Sequence, residues 1–178
     1  FEVRVERDPK ESGNRTISVV GLGGAIPATR GTTGPVELFV GNAGTAARFL
    51  SAMVCLGAGT YRLSGVPRMH ERPQAELFRA LRELGYRVEA PNDRLPALIH
   101  GAGPRPGRCV VSVNESSQFA SARILGSMVG GWEVSVAGGD EDELPYVEMT
   151  RQMLGRFLGE GGDFVVEPDA SSGSYFFG

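Results

Sequence analysis

From Arg72 to Gly85 the chain reads RPQAELFRALRELG, with Leu77, Leu81 and Leu84 recurring three to four positions apart and charged residues between them. That spacing puts the leucines on one face of an amphipathic helix. Pro73 suits the first turn, where its missing N–H costs nothing, and Gly85 suits the cap position past the last turn. Upstream, TYRLSGVP (60–67) alternates as a strand does, and YRVEA (86–90) predicts a shorter one. Ahead of both, NAGTAARFLSAMVCLG (42–57) predicts a helix built largely of small residues.

The same order returns further on. SSQFASARILGSMVG (116–130) predicts a second small-residue helix and WEVSVAGG (132–139) a strand. LPYVEMTRQMLGRFLG (144–159) predicts a proline-opened amphipathic helix with Val147, Met153, Leu154 and Phe157 as its apolar set. DFVVE (163–167) predicts a closing strand. Thr45 and Ser117 stand 72 positions apart, as do Pro73 and Pro145. ALIHGAG (97–103) and RCVVSVN (108–114) predict strands between the units, and FEVRVER with TISVVGLGG predicts an opening hairpin.

A repeat cannot bury its apolar face alone, so its copies pack around a shared core. The expected fold is therefore an α/β lobe of βαβαββ-type repeats around a pseudo-threefold axis, with the small-residue helices buried at its centre. The expected boundaries are an incomplete unit or hairpin over about 1–41, a first full unit over 42–113 and a second over 114–168. Together these make one lobe, 1–168. PDASSGSYFFG begins a third unit, cut at 169–178. Phe1 is not a start residue, so both ends look cut.

Composition narrows the function classes. Hydrophobic content of 41% over 178 residues supports a packed core. The net charge of −3 gives no basic footprint for nucleic acid and no polybasic patch for a membrane. No apolar run approaches the ~20 residues of a membrane span, and no signal peptide leads the chain. Lys10 is the only lysine, so lysine-dependent chemistry must run through it or come from outside the chain. Cys55 and Cys109 lack CxxC or Cys/His spacing and read as reduced residues of a cytoplasmic protein. His70 and His100 lack metal-site spacing, so neither metal nor cofactor is expected.

Candidate chemistry gathers at helix starts, where unpartnered N–H groups and the dipole attract anions. In GNAGTAARF, Asn42 or Thr45 can cap the helix. Gly41 and Gly44 allow close backbone approach, and Arg48 adds charge one turn on. Tight central packing explains the same small residues. ESSQF (115–119) offers two hydroxyls and an amide at the repeat-related position, where a plain cap box is the alternative. VPRMHERP carries Arg68, His70 and Arg72, whose guanidinium forks suit carboxylates or phosphates unless they are simply solvated. In GGDEDELPYVE, the carboxylates from Asp140 to Glu143 complement a helix N-terminus, and Tyr146 offers a flat face or a core contact.

Taken in order, LFVGNAGTAARFL, GVPRMHERP, SSQF, PYVEMT and DASSGSYF resemble the 5-enolpyruvylshikimate-3-phosphate synthases, a family of enolpyruvyl transferases. The resemblance runs from Leu38 onward and is loose before it. It implies one lobe of a two-domain fold, each domain made of three βαβαββ repeats. The implied reaction moves the enolpyruvyl group of phosphoenolpyruvate to the 5-hydroxyl of shikimate 3-phosphate, releasing phosphate on the way to aromatic amino acids. By resemblance Ser116 and Ser117 hold the phosphate of shikimate 3-phosphate, Tyr146 lies beneath its ring, and Gln118 sits between the two substrates. Arg72 pairs with phosphoenolpyruvate, and Gly44 lines that pocket, where glyphosate competes in the family. Asn42, Thr45 and Arg48 support the helix.

Three departures stand out. Glu143 occupies a position where the family carries a phosphate-holding serine. The stretch from Leu158 to Asp169 is short by about a hairpin. The acid/base groups, and the further cationic residues of the family, lie in segments this chain lacks, so no catalytic residue is expected here and a complementary lobe is the expected partner. The related transferase acting on UDP-N-acetylglucosamine is the alternative within the class, although no cysteine falls between Val66 and Pro96 for its reactive loop. A non-catalytic anion-binding lobe is the alternative outside it.

Overall fold

The computed structural model describes residues 2–26, 34–139, 141–157 and 162–166. Strands β1 (Glu2–Arg7) and β2 (Arg15–Val20) pair antiparallel as the expected hairpin. All twelve of their residues are exposed, including Val3, Val5, Ile17 and Val19.

The central part is one sheet with two helices on it. β3 (Val36–Phe39) runs parallel to β4 (Ala58–Ser64), joined by α1 (Gly44–Cys55). A short α2 (Pro67–Glu71) and α3 (Ala75–Glu83) lead to β5 (Arg87–Glu89) and β6 (Ala97–Ala102), which complete the order β3-β4-β6-β5. The second part repeats the opening. β7 (Gly107–Ser112) pairs parallel with β8 (Trp132–Ala137) across α4 (Gln118–Gly130), and α5 (Leu144–Phe157) follows. Val36 faces Tyr61 in the first parallel pair and Gly107 faces Trp132 in the second, the same spacing in both.

The leucine face of α3 is buried as its periodicity predicts, with Leu77, Phe78, Ala80 and Leu81 all sealed from solvent. Its end is a Schellman cap: Gly85 takes φ +82°, Gly85 N–H donates to Arg82 O, and Tyr86 N–H donates to Leu81 O. The small-residue helices α1 and α4 pack directly on each other. Ala47, Ser51 and Ala52 of one and Ala120, Ser121 and Ala122 of the other are buried. Tyr86 and Trp132 meet edge to face at 5.8 Å, tying the first unit to the second. No helix among the described residues is long and apolar enough to cross a membrane.

Three expectations are corrected and one strand is added. α3 starts at Ala75, two residues after Pro73, because VPRMHE forms its own short helix with Pro67 in its first turn. Neither Asn42 nor Thr45 caps α1; Ala43 holds the N-cap position without a side-chain bond. VELF forms the strand β3, which the periodicity did not single out, being four residues long and only half-buried. DFVVE is no strand over its described residues 163–166, where Phe164, Val165 and Val166 stay exposed. PDASSGSYFFG lies outside the described residues.

Candidate anion site at two helix starts

The site begins where β3 gives way to α1. Val40 N–H donates to Ser64 O, Gly41 turns the chain at φ +55°, and Val66 N–H donates to Gly41 O. These bonds lay the α1 start against the β4–α2 connection, which carries Arg72. A Cβ built on Gly44 would stand 2.6 Å from Cζ and Nη2 of Arg72, so the guanidinium rests on that glycine. Of the other candidates in that connection, Arg68 is spent on an exposed ion pair with Glu71 at 2.7 Å. His70 Nε2 faces the Gly65 N–H at 3.2 Å. Only Arg72 points its charge at the helix start.

Arg48, one turn into α1, crosses to α4. Its side chain is only 6% exposed and lies 5.0 Å over the Phe119 ring. Nη1 donates to Gln118 Oε1 at 2.7 Å and to Ser116 Oγ at 3.2 Å, while Nε has no acceptor. Gln118 Nε2 donates to Thr45 Oγ1 at 3.0 Å. Thr45 thus serves as a bridge where a cap was expected. Among the described residues no carboxylate lies within ion-pair distance of Arg48 or Arg72. Burial, and then the charge on Arg72, hold the Arg48 guanidinium below its ordinary range, with Glu143 and Glu115 acting weakly the other way. Two cations side by side favour an anion near them, and the chain's own Glu143 and Glu115 supply part of that charge.

Beyond this bridge opens a cavity of about 480 Å³ lined by Ser116, Ser117, Gln118, Glu143, Tyr146 and Thr150 among others. Ser116 and Ser117 are buried, whereas Tyr146 is 54% exposed and presents its ring at the rim. Ser121 Oγ and Thr150 Oγ1 lie 2.8 Å apart and fix α5 against α4. Glu143 complements a helix N-terminus as its acidity predicts, but the helix is α4: its Oε2 accepts the Ser117 N–H at 2.5 Å. The structure therefore brings Thr45, Ser116, Ser117, Gln118 and Tyr146 to one cavity, with Arg48 behind its wall and Arg72 against Gly44. Asn42 only precedes the helix.

Arg123 is a polar residue that reading by motif passed over. It is fully buried, its Nη1 donating to Phe119 O and its Nη2 to Leu77 O and Glu76 O. Burial pushes it down to about 10. It staples α4 to α3 away from the cavity.

Paired arginines and hydroxyls thus stand at two helix starts of this α/β fold. Residues 3–160 match the family model described as EPSP synthase (3-phosphoshikimate 1-carboxyvinyltransferase), and the chain belongs to that family. It is 38% identical over 192 residues to a 3-phosphoshikimate 1-carboxyvinyltransferase of Vibrio atlanticus, covering 95% of this chain and 44% of that protein. A Vibrio cholerae protein of the same name is 38% identical over 183 residues, 90% of this chain and 42% of the relative. The chain thus spans less than half the length of these curated relatives. An EPSP synthase structure from Acinetobacter baumannii superposes with a TM-score of 0.61 at 24% identity, covering 93% of this chain and 34% of that one, and shares its fold.

Proposed function

We propose that this chain is the shikimate-phosphate-binding lobe of an enzyme that transfers the enolpyruvyl group of phosphoenolpyruvate to the 5-hydroxyl of shikimate 3-phosphate, with loss of phosphate. The observation that carries this is the Gln118 side chain, bonded to Thr45 on one helix and to Arg48 from the same helix, beside an Arg72 that rests on Gly44. In this reading Ser116, Ser117 and Tyr146 take shikimate 3-phosphate, Gly44 and Arg72 take phosphoenolpyruvate, and Gln118 separates the two. Residues 42–113 and 114–168 act as two of the lobe's repeats, 1–41 as an incomplete one and 169–178 as the start of another.

The reaction protonates a methylene carbon, joins C2 to a hydroxyl and expels phosphate, which requires a general acid, a general base and dense positive charge. This chain supplies charge and hydrogen-bond donors. A complementary lobe, in the cytoplasm, supplies the acid and base. Calorimetric titration of the chain with shikimate 3-phosphate is expected to give weak one-to-one binding and no turnover. A folded protein that releases no heat with this ligand would end the reading.

Glu143 favours a second reading, a lobe kept for anion binding without catalysis, because its carboxylate stands where a phosphate contact belongs. Activity restored by adding the complementary lobe would exclude it.

A further inference from the structure

The first turn of any helix leaves N–H groups without intrahelical partners, and these are what a phosphate would bind. In α4 every one is taken. Glu143 Oε2 accepts the Ser117 N–H, Ser116 Oγ accepts the Gln118 N–H at 3.3 Å, Ser116 O accepts that of Phe119, and Ser117 O accepts that of Ala120. The one acceptor that carries charge comes from outside the turn, from the residue just before α5. A buried cation attends it: Arg48, 6% exposed, reaches Ser116 Oγ and leaves its Nε without an acceptor. A buried cation thus stands behind this helix start, and the anion that meets the start belongs to the chain itself.

We propose that Glu143 is an internal competitor for phosphate, a carboxylate that occupies the α4 start and must swing out before a phosphate ester can enter. The inference rests on the reading of this cavity as an anion site. An incoming dianion would meet the carboxylate in the same 480 Å³ space, and like charges there repel through a medium less screening than water. Glu143 is itself only half-buried and leads directly into α5, whose first residue Leu144 is exposed. The residue acts as a specificity determinant: it raises the threshold at which phosphate is captured and favours ligands whose other groups, toward Tyr146 and Arg72, can offset the displacement.

The test follows the Ser117 backbone amide by NMR in the isotopically labelled chain while inorganic phosphate, and separately shikimate 3-phosphate, is added. Three proteins are compared: wild type, Glu143→Ser and Glu143→Gln. In Glu143→Ser the amide is expected to respond to inorganic phosphate at about tenfold lower concentration than in wild type, the scale of one charge-assisted hydrogen bond regained. Glu143→Gln, which keeps an acceptor and loses the charge, should fall between and also serves as the control should the serine variant fold poorly. Equal responses in all three proteins, or an amide that phosphate moves in none, would overturn the proposal. If the serine variant gains inorganic phosphate but binds shikimate 3-phosphate no more tightly than phosphate alone, the competitor role stands and the substrate assignment falls.

Discussion

At Gly44 the missing side chain makes room for a neighbouring cation. The guanidinium of Arg72 fills the space a methyl would need, and it is the far end of a flexible side chain, so Gly44→Ala moves Arg72 and leaves the helix standing. Under the proposed function, in the protein assembled with a complementary lobe, the variant should weaken phosphoenolpyruvate about tenfold, the loss of one charge-assisted contact. Shikimate 3-phosphate should change far less in the parallel calorimetric titration. Cys55 behaves differently, since its environment is apolar and closed. Burial pushes its thiol up to about 12, so in the folded chain it stays protonated and slow to alkylate. Because the folded value lies above the unfolded 9.0, its contribution to stability is whole below pH 9.0 and is lost as pH rises toward 12. Urea midpoints measured between about pH 8 and pH 10 should therefore fall more steeply for wild type than for Cys55→Ala. The sequence marked both residues, one by its glycine-rich setting and one by its isolation from other ligands. It could not mark Arg123, because an arginine in SSQFASAR becomes a core residue only when a second helix offers its carbonyls.

Elements were legible where periodicity was strong. The leucines of α3 and the alternation of β4, β6 and β8 each name one buried face, and burial follows them. Legibility failed where one residue could serve two elements. Pro73 looked like a helix start, yet Pro67 had already opened α2, and DFVVE is apolar without a strand alongside it among the described residues. The contact of α4 with α3 depends on the Arg123 staple, which no pattern encodes. Arg123→Ala should lower unfolding free energy by about 2–4 kcal/mol, from a lost buried volume and hydrogen bonds to backbone carbonyls. Arg123→Met should recover most of that loss, since it refills the space without an ion to desolvate. Equilibrium urea unfolding of both variants separates packing from hydrogen bonding.

For the molecule as a whole, the repeat accounts for the arrangement of the site. Two copies of one unit place two helix starts side by side, and Arg48 with Gln118 joins them. The opposite side of the same helix pair is apolar. Leu22, Met53, Leu125 and Val129 border a cavity of about 300 Å³, and Met128 beside it is largely exposed. Patches of this kind bind hydrophobic dyes, so the folded chain should enhance anilinonaphthalene sulfonate fluorescence, and Leu125→Lys with Met128→Lys should reduce it at unchanged circular dichroism. The resemblance suggested candidate site residues; the hydrogen bonds between them appeared only in three dimensions, because the partners stand about one repeat apart in the chain.

Hydrogen bonds among Thr45, Gln118, Arg48 and Ser116 close into a ring within the fold itself. Rotamer freedom that a looser pocket would surrender on capture is surrendered here when the chain folds. Under the proposed function, affinity is then inherited from the fold. A change that lets α1 slip against α4, however distant from the cavity, would loosen the grip on the ligand, and a ligand held there would raise the temperature at which the two helices part.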